Sequence, residues 1–388
     1  MRLLRFLLIF LGVAILVTGS IFLINRDAFL TVFKNREALL EGSEWVEKTY
    51  SLGGLIEFMD EQPQHVSMAS FTTSSSDPAI RFHSDQLSPA GTLSNLFLII
   101  TYANQVATGI LDPEAPVHTG RVKTFYLPTK DRRYQQTFEQ WEQGFETPPS
   151  VRELVRYLIR HNDPAVADYL FFFLGEDAVT EWAFRLGDGY MEPPVPQFGL
   201  RMLALSQHQY GQSLSEHLAM LSRKDRKVLI EEAIAIAKQQ WEHPATADVP
   251  AISSFQDERA LHGHYPRIEP ERFAGLVLAI WENTLINEET STICRELLTQ
   301  LPADHRLDQH VSEYAAQFDE RMGYMSGWTL GSVPENETLR VQVILLKDLP
   351  PGLWFHINSN FMLRDYHNRM LYDPSLRDRT YSQLMTSE

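Results

Sequence analysis

The stretch SPAGTLSNLFLIITYANQVATGILD, residues 88–112, has the form of a helix that begins with a nucleophile. It enters on a turn, places the hydroxyl of Thr92 at the helix start and continues into apolar sequence. Backbone N–H groups at a helix N-terminus can hold a developing oxyanion, and a base three residues later would share the helix face. That later position is Asn95, whose amide cannot take a proton near neutral pH. The pattern therefore predicts a catalytic geometry without its general base.

The elements around this stretch predict one sheet that is completed by both ends of the chain. Strand-like runs occur twice before the helix at Thr92 and three times near the C-terminus, and helical patterns fill the middle. This order is typical of an α/β fold of the α+β kind. The helix after Thr92 is apolar on nearly every face, so we expect it to be central. The strand-like runs are 65–73, 79–85, 310–318, 322–330 and 339–347, and a last helix is predicted over 350–372.

The N-terminus predicts a single membrane anchor. Arg2 and Arg5 precede residues 6–24, nineteen positions without a charge, and a helix of that length spans a bilayer core. The basic flank on the short side predicts a cytoplasmic N-terminus, with the rest of the chain on the opposite side of the membrane. A cleaved signal peptide is the alternative, but apolar residues continue past Ser20, which favours an uncleaved signal-anchor.

These signals divide the chain into three parts. They are a membrane anchor over 1–24, a connecting helix over 25–54 and a folded domain over 55–388. We therefore expect a single-pass protein of a bacterial-type inner membrane, with its soluble domain facing the periplasm or the exterior.

The amino-acid composition limits the classes of partner that the protein can bind. The formal net charge of −16 argues against nucleic acid, because binding phosphates needs a basic face. A hydrophobic content of 44% is enough to build a folded core. The single cysteine, Cys294, excludes an intramolecular disulfide, and its helical setting STICRELLTQL favours a buried thiol.

Four segments, taken together, resemble class A serine β-lactamases and the related penicillin-interacting serine hydrolases, over roughly residues 55–370. They are AIRFHSDQLSPAGTLSN, TGILDPEAPV, SVRELVRYLIRHNDPAVADYLFFFLGEDAVTEWAFRLGD and RIEPERFAGLVLAIWENTLINEETSTICRELLTQLP. The resemblance implies a β-lactamase-like fold: a five-stranded antiparallel sheet flanked by helices, with an all-helical lobe and an active site between the lobes.

The first two motifs of this family are altered here. The Ser-x-x-Lys motif falls on Thr92 and Asn95, so the resemblance implies that the lysine base is lost. The Ser-Asp-Asn motif falls on Asn162, Asp163 and Pro164, where an amide replaces the hydroxyl and proline removes the side-chain donor. Asp163 is expected to keep a structural role by hydrogen-bonding its loop.

The third motif, Lys-Thr-Gly on a strand, has also lost its cation. The preferred register places it near Tyr314–Ala316, and an alternative register places it at Met325–Gly327. No lysine lies between Lys238 and Lys347, so either register lacks the charge that would attract a substrate carboxylate. The candidate substitutes for this charge are Arg321 and Arg340.

The family's deacylating glutamate has one candidate, Glu192 in the loop DGYMEPPVPQFG. This loop is shorter than the lactamase pattern, and we expect Glu192 to be structural. Loss of a general base alone costs about 10²–10⁴ in rate. Loss of a cooperating set costs on the order of 10⁶. The sequence therefore predicts that the lactamase mechanism does not operate.

Two further features have alternative interpretations. His262 and His264 lie two residues apart, and together with His208 they could share a metal, but no established ligand spacing supports such a site. We expect loop histidines exposed to solvent, with no metal and no cofactor. The polar segment 113–148, rich in aromatic residues, covers the cleft, binds a partner or is an ordinary insertion packed on the helical lobe.

Two functional hypotheses follow. The first is a membrane-anchored pseudoenzyme that binds a cell-wall fragment, a peptide or another envelope protein. The second is an active hydrolase with a rearranged catalytic set centred on Thr92. In the second hypothesis the base would be His262, His264 or Glu192.

Overall fold

The computed structural model describes most of the chain from residue 26 onward. The predicted anchor, residues 6–24, lies outside the described residues, and so does His208. Within the described part, no helix combines the length and apolar character that crossing a bilayer requires. The anchor therefore remains a prediction. The described residues are 26–73, 79–127, 130–206, 214–221, 224–245, 252, 254–299, 311, 313–332 and 338–385.

The described elements alternate between a short strand-rich start, a long helical middle and a strand-rich end. The strands are β1 (Val66–Thr72), β2 (Ile80–Phe82), β3 (Ser88–Pro89), β4 (Arg267–Ile268), β5 (Glu313–Arg321), β6 (Tyr324–Ser332) and β7 (Leu339–Leu346). The α-helices are α1 (Arg26–Lys34), α2 (Arg36–Leu40), α3 (Ser43–Lys48), α4 (Leu52–Glu61), α5 (Leu96–Ala107), α6 (Thr119–Lys123), α7 (Arg132–Glu142), α8 (Val151–His161), α9 (Pro164–Phe173), α10 (Glu176–Gly187), α11 (Gln197–Ser206), α12 (Leu214–Leu221), α13 (Arg226–Glu242), α14 (Phe255–His262), α15 (Pro270–Trp281), α16 (Glu288–Leu298), α17 (Pro351–Ser359), α18 (Met362–Tyr372) and α19 (Pro374–Met385). Short 3-10 helices cover Pro63–His65 and Gly91–Asn95.

The predicted five-stranded antiparallel sheet is confirmed. Its strand order is β2-β1-β7-β6-β5, so strands from both ends of the chain lie side by side. β5 and β6 form a hairpin in which Arg321 pairs with Tyr324 across the two-residue turn Met322–Gly323. Gly323 has a φ of +77°, which this tight turn requires. β5 is an edge strand of the sheet, and its end is therefore accessible to the helical lobe, which comprises helices α6–α14.

The central strand β7 is buried from residue 340 to residue 346 because both faces of the sheet are covered. Side chains alternate across a strand, so its run LRVQVILL supplies two cores at once. Val341, Val343 and Leu345 belong to the core shared with the helical lobe. Ile344 and Leu346 belong to the core under α4, α17 and α18.

Helix α5 is buried as its apolar sequence predicts. All residues from Leu96 to Ala103 are buried, and they pack between the sheet and the helical lobe. The buried thiol of Cys294 lies in the same core, as predicted. The helix that follows the Thr92 turn is therefore the central element of the domain.

The predicted connecting helix over 25–54 is instead a series of short helices that pack on the domain. It breaks at Asn35 and at Gly42, where φ is +81° and a Cβ would lie 2.7 Å from Pro350 Cβ. Trp45 of α3 is buried in the core beside Phe58. The proposed boundary at residue 54 falls inside α4, so this segment is part of the domain's packing.

The C-terminal region differs from the prediction of a single last helix over 350–372. α17 and α18 are separated at Asn360 and Phe361, and Phe361 adopts the left-handed conformation with a φ of +52°. A further helix, α19, follows. Phenylalanine rarely adopts this conformation, so the sequence carried no signal for the break.

Segment 113–148 is also more regular than expected, because it contains α6 and α7. Only Phe138 of α7 is fully buried, which explains why its polar sequence lacked a clear apolar periodicity. Phe138 packs against Tyr126 and Tyr157, so the segment is joined to the helical lobe by aromatic contacts.

The burial of His367 on α18 predicts that the folded protein loses stability in acid. Its Nδ1 lies 3.3 Å from the Thr329 hydroxyl, and burial lowers its pKa to about 3. An unfolded histidine has a pKa of about 6.5, so stability is complete above that pH and declines as pH falls toward 3. One proton taken up on unfolding corresponds to about 1.4 kcal/mol per pH unit.

We predict that His367→Gln flattens the pH dependence of the free energy of unfolding between pH 6.5 and pH 4. Urea titrations at several pH values measure this slope. The exposed His243 supplies the control, and His243→Gln should leave the slope unchanged. Equal slopes for His367→Gln and the parent protein would contradict the prediction.

Candidate functional site

Thr92 lies in the 3-10 helix Gly91–Asn95 at the entry to α5, and a pair of two-residue strands fixes this turn. β3 pairs with β4, and Ala90 receives a hydrogen bond of 2.8 Å from the Ser326 hydroxyl on β6. Thr92 is only 2% exposed. No described residue offers its Oγ1 a hydrogen-bond partner. The predicted nucleophile is therefore enclosed and has no base in contact with it within the described part.

The backbone N–H of Thr92 is occupied by a carboxylate of the protein itself. It donates to Oδ2 of Asp319, near the end of edge strand β5, over 2.7 Å. A helix-start N–H is the kind of donor that holds an oxyanion during acyl transfer. Here the position next to that donor is filled by the side-chain carboxylate of Asp319.

Gly91 makes this close approach feasible. Its φ is +58°, in the left-handed region, and a Cβ built on it would overlap Oδ2 of Asp319. Any other L residue would therefore be strained by its backbone and would also collide with the carboxylate.

Arg321 holds the Asp319 carboxylate in place. Its Nε lies 3.1 and 3.0 Å from the two carboxylate oxygens, and its Nη1 donates to the Tyr265 hydroxyl over 3.0 Å. Burial alone would lower the pKa of Arg321, but the adjacent Asp319 raises it above its ordinary value. Arg321, one of the two candidate cations, is thus at the site, but its charge is already paired.

Asn95 is buried, and its Nδ2 has no hydrogen-bond partner among the described residues. An amide in this position can neither accept a proton from Thr92 nor stabilise negative charge as a cation would.

The second predicted loop meets the same strand. Asn162 ends α8 in the left-handed conformation, and its Nδ2 donates to the backbone carbonyl of Phe318 over 2.9 Å. Phe318 directly precedes Asp319, so this loop and the Thr92 turn contact neighbouring residues of β5. The structure thus brings Thr92 and Asn162 to one place.

Asp163 acts as the cap of α9. It accepts hydrogen bonds from the backbone N–H groups of Ala165 and Val166, and from the Tyr126 hydroxyl over 2.7 Å. Pro164 occupies the first position of α9, where a missing N–H costs nothing. Burial raises the pKa of Asp163 to about 6, although its hydrogen bonds act in the opposite direction. These contacts are those of a structural residue.

Glu192 belongs to a separate ion cluster. Its carboxylate lies 2.8 Å from both Arg226 Nη2 and Arg267 Nη2, and it also accepts from the backbone N–H of Arg267. Burial alone would raise the pKa of Glu192, but the two arginines lower it below the ordinary value. Glu192 thereby ties its loop to β4 and α13.

The preferred Lys-Thr-Gly register does not coincide with the contact to Thr92, but the alternative register lies beside it, because Ser326 pairs with Asp319 and donates to the Ala90 carbonyl. Tyr314 lies at the start of β5 and donates to Asn368 over 2.7 Å, whereas Thr92 meets Asp319 near the strand's other end. Met325 of the alternative register lies on β6. Arg340, the other candidate cation, donates to Ser70 from β7. The Asp319–Arg321 pair was not predicted. The two residues are two positions apart, and on a strand this separation puts both side chains on the same face.

The expectation of exposed histidines is wrong for the two that are described. His262 ends α14 and lies 3.3 Å from Glu258, and its Nδ1 lies 3.0 Å from the Met322 carbonyl oxygen. His264 is also buried, and burial lowers its pKa to about 4. Among the described residues, no group of three potential ligands is arranged to hold a metal ion.

A cleft of about 940 Å³ lies between the helical lobe and the end of β5. One wall is formed by Glu258, which pairs with Arg201 over 3.2 Å and with Lys130 over 2.8 Å. Arg133 and Arg160 lie on its wall, and neither pairs with an acidic side chain of the described residues. Segment 113–148 contributes part of the cleft lining, whereas Thr92 contributes none, and the segment's lining residues are Phe125, Leu127, Lys130, Asp131, Arg133 and Tyr134.

A serine–lysine contact exists elsewhere in the fold. Lys347 Nζ lies 3.2 Å from the Ser88 hydroxyl, which lies 2.9 Å from the Ser67 hydroxyl. Burial lowers the pKa of Lys347. Both serines are fully buried, so their hydroxyls are closed to a ligand. Ser88 and Lys347 are 259 residues apart in the sequence, so no local pattern predicts their contact.

We predict that Gly91→Ala lowers the free energy of unfolding more than Gly109→Ala does. Both glycines have positive φ, at +58° and +70°, but no atom lies within 4 Å of a Cβ on Gly109. The control therefore measures the backbone cost alone, roughly 1 kcal/mol. The additional loss at Gly91 measures displacement of the Asp319 carboxylate.

The steric part of this loss should disappear when Asp319 is shortened. In an Asp319→Ala background, Gly91→Ala and Gly109→Ala should have similar effects in urea denaturation. If the two alanine variants are already equally stable in the parent protein, the carboxylate does not hold the position described.

Comparisons with known proteins bear on the fold alone. No family model matches the sequence, and no curated protein matches it. Among solved structures, a β-lactamase from Sphaerobacter thermophilus DSM 20745 has a TM-score of 0.50 and 12% identity, covering 87% of this chain and 98% of its own. A variant of the TLA-1 extended-spectrum β-lactamase has a TM-score of 0.50 and 10% identity, covering 87% and 99%.

A third solved structure, L2 in complex with relebactam, has a TM-score of 0.50 and 12% identity, covering 83% of this chain and 95% of its own. Identities this low carry no information about activity. The likeness extends over most of the chain and agrees with the strand order and the helical lobe described above. The protein therefore has a β-lactamase-like fold.

Proposed function

We propose that this is a membrane-anchored protein that does not perform acyl transfer and acts by binding an envelope ligand in its cleft. The observation that carries the proposal is the Asp319 carboxylate on the backbone N–H of Thr92. A tetrahedral intermediate would need this donor for its oxyanion, and it would meet a negative charge there instead.

The absence of a base at Thr92 supports the same conclusion. A threonine hydroxyl is a weak nucleophile unless a neighbouring group takes its proton. Within the described residues, Thr92 Oγ1 has no such partner, and the alternative bases His262, His264 and Glu192 are bonded elsewhere or buried. The alternative of a rearranged hydrolase centred on Thr92 therefore has no support from this geometry.

The cleft provides what a binding function needs. It is large enough for a small ligand and offers cationic and amide groups together with aromatic surfaces. Arg133 and Arg160 give it positive charge in a protein whose net charge is −16. The candidate ligands are a cell-wall fragment, a peptide or a segment of another envelope protein, and nucleic acid is not among them.

The location proposed for this function rests on the sequence of residues 1–24. An uncleaved signal-anchor there would hold the protein in a bacterial-type inner membrane, with the domain facing the periplasm or the exterior. The domain would then share a compartment with the proposed ligands.

We predict that the purified full chain neither hydrolyses a chromogenic β-lactam nor forms a covalent adduct with a fluorescent penicillin. Thr92→Ala should behave like the parent protein in both assays, because no acyl group is expected on Thr92. A competent β-lactamase serves as the positive control. Turnover or labelling that Thr92→Ala abolishes would overturn the proposal.

Binding in the cleft predicts a second result. Soluble cell-wall fragments at about 100 Kd should stabilise the protein by about 2.7 kcal/mol. Arg160→Glu should weaken this effect because it reverses a charge on the cleft wall. Arg156→Glu, on the exposed face of the same helix and outside the cleft, is the matched control. Equal stabilisation of both variants would place the ligand outside the cleft.

A further inference from the structure

The first helices of the domain form a surface beside the cleft together with α17. Asn35, between α1 and α2, accepts a hydrogen bond of 2.7 Å from the backbone N–H of Phe255, whose ring packs 5.5 Å from that of Phe355 on α17. A Cβ on Gly352 would overlap the backbone carbonyl of Leu39, so α2 lies directly on α17. We call this surface the α1–α17 face.

The α1–α17 face exposes apolar side chains. Phe33 is 67% exposed, Leu40 is 69% exposed and Phe361 is 62% exposed. Large apolar side chains gathered on one exposed surface are typical of a contact with a membrane or a partner. Six of the fourteen large hydrophobic side chains exposed in the described part belong to this face: Leu30, Val32, Phe33, Leu40, Phe355 and Phe361.

Phe361 is the most unusual of these residues. A left-handed backbone costs a non-glycine residue roughly 1–2 kcal/mol, and burial of its ring does not offset this cost. The residue also lines the cleft. The fold thus places an aromatic ring in solvent at the mouth of the proposed binding site.

The position of the predicted anchor identifies what covers this face. The apolar stretch 6–24 ends just before α1, and Thr31 of α1 lines the cleft. Thr31 is seven residues from the end of the apolar stretch, and a chain of that length reaches at most about 25 Å even when fully extended. The cleft mouth and the α1–α17 face are therefore both next to the point where the chain would enter the bilayer.

Charge favours the same orientation. A chain of net charge −16 is repelled by anionic lipids unless it presents a cationic region to them. Arg133 and Arg160, on the cleft wall, are exposed and pair with no described acidic side chain, so they can approach lipid phosphates.

We infer that the α1–α17 face lies on the bilayer and that the cleft opens at the level of the lipid headgroups, with Arg133 and Arg160 facing lipid phosphates. The inference rests on the proposed membrane anchor. It adds an orientation, because an anchored domain could otherwise be suspended in any direction by a flexible connection.

The test uses the full chain in vesicles of phosphatidylethanolamine and phosphatidylglycerol that contain a nitroxide-labelled quencher lipid. Cys294 is fully buried and burial raises the pKa of its thiol, so a fluorophore will react at an introduced cysteine. The reporters are Phe33→Cys, Leu40→Cys and Phe361→Cys. The controls are Ile110→Cys and Phe184→Cys, at positions that are 75% and 72% exposed on the helical lobe.

We expect the quencher lipid to reduce fluorescence strongly at positions 33, 40 and 361 and weakly at positions 110 and 184. Vesicle flotation reports the anchor independently. Flotation with no quenching at the three reporter positions would overturn the inferred orientation and leave the anchor standing. Failure to float would overturn both. Equal quenching at reporter and control positions would also overturn the orientation.

Discussion

The carboxylate of Asp319 on the backbone N–H of Thr92 is the contact on which the interpretation of this molecule depends. It joins the edge strand of the sheet to the start of the central helix, and the buried guanidinium of Arg321 holds it there. A helix start stabilises negative charge through its unpaired N–H groups. In an acyl-transfer enzyme that charge belongs to the substrate for the duration of one step. Here it belongs to the protein at all times, so the donor contributes to stability.

The surrounding loops support this structural use of the site. Asn162 bonds to the carbonyl next to Asp319, and Asp163 caps the helix that follows. The first contact joins the loop after α8 to the sheet, and the second fixes the start of α9. Each depends on hydrogen-bonding geometry rather than on proton transfer. This difference explains how the site can retain its architecture while its nucleophile lies enclosed with no base in contact.

The sheet and the central helix were predictable because their signals are local. Apolar runs bounded by turns marked the strands, and the unbroken apolar sequence after Thr92 marked a buried helix. The Asp319 contact was not predictable, because its partners are 227 residues apart and no motif around Asp319 indicated a contact with the Thr92 turn. The burial of His262 was missed because its contact with the carbonyl of Met322 joins residues 60 positions apart, although its other partner, Glu258, lies one helical turn earlier. Phe361 breaks the last predicted helix with a conformation that its residue type does not favour.

The fold encloses its candidate nucleophilic hydroxyls, so that a ligand in the cleft does not reach them. The buried Ser67, Ser88 and Lys347 have the hydroxyls and the amine of a nucleophile–base pair, yet the two serines have no exposed surface. The cleft has ample space, and its walls present cationic groups, carboxylates, amides and aromatic rings, several of them held in ion pairs such as Glu258 with Arg201, but Thr92 is absent from them. Catalysis by an attacking hydroxyl requires that hydroxyl to line the space that holds the substrate, whereas binding requires only an accessible space. The proposal of a protein that holds an envelope ligand without cleaving it rests on this difference between the open cleft and the enclosed hydroxyls.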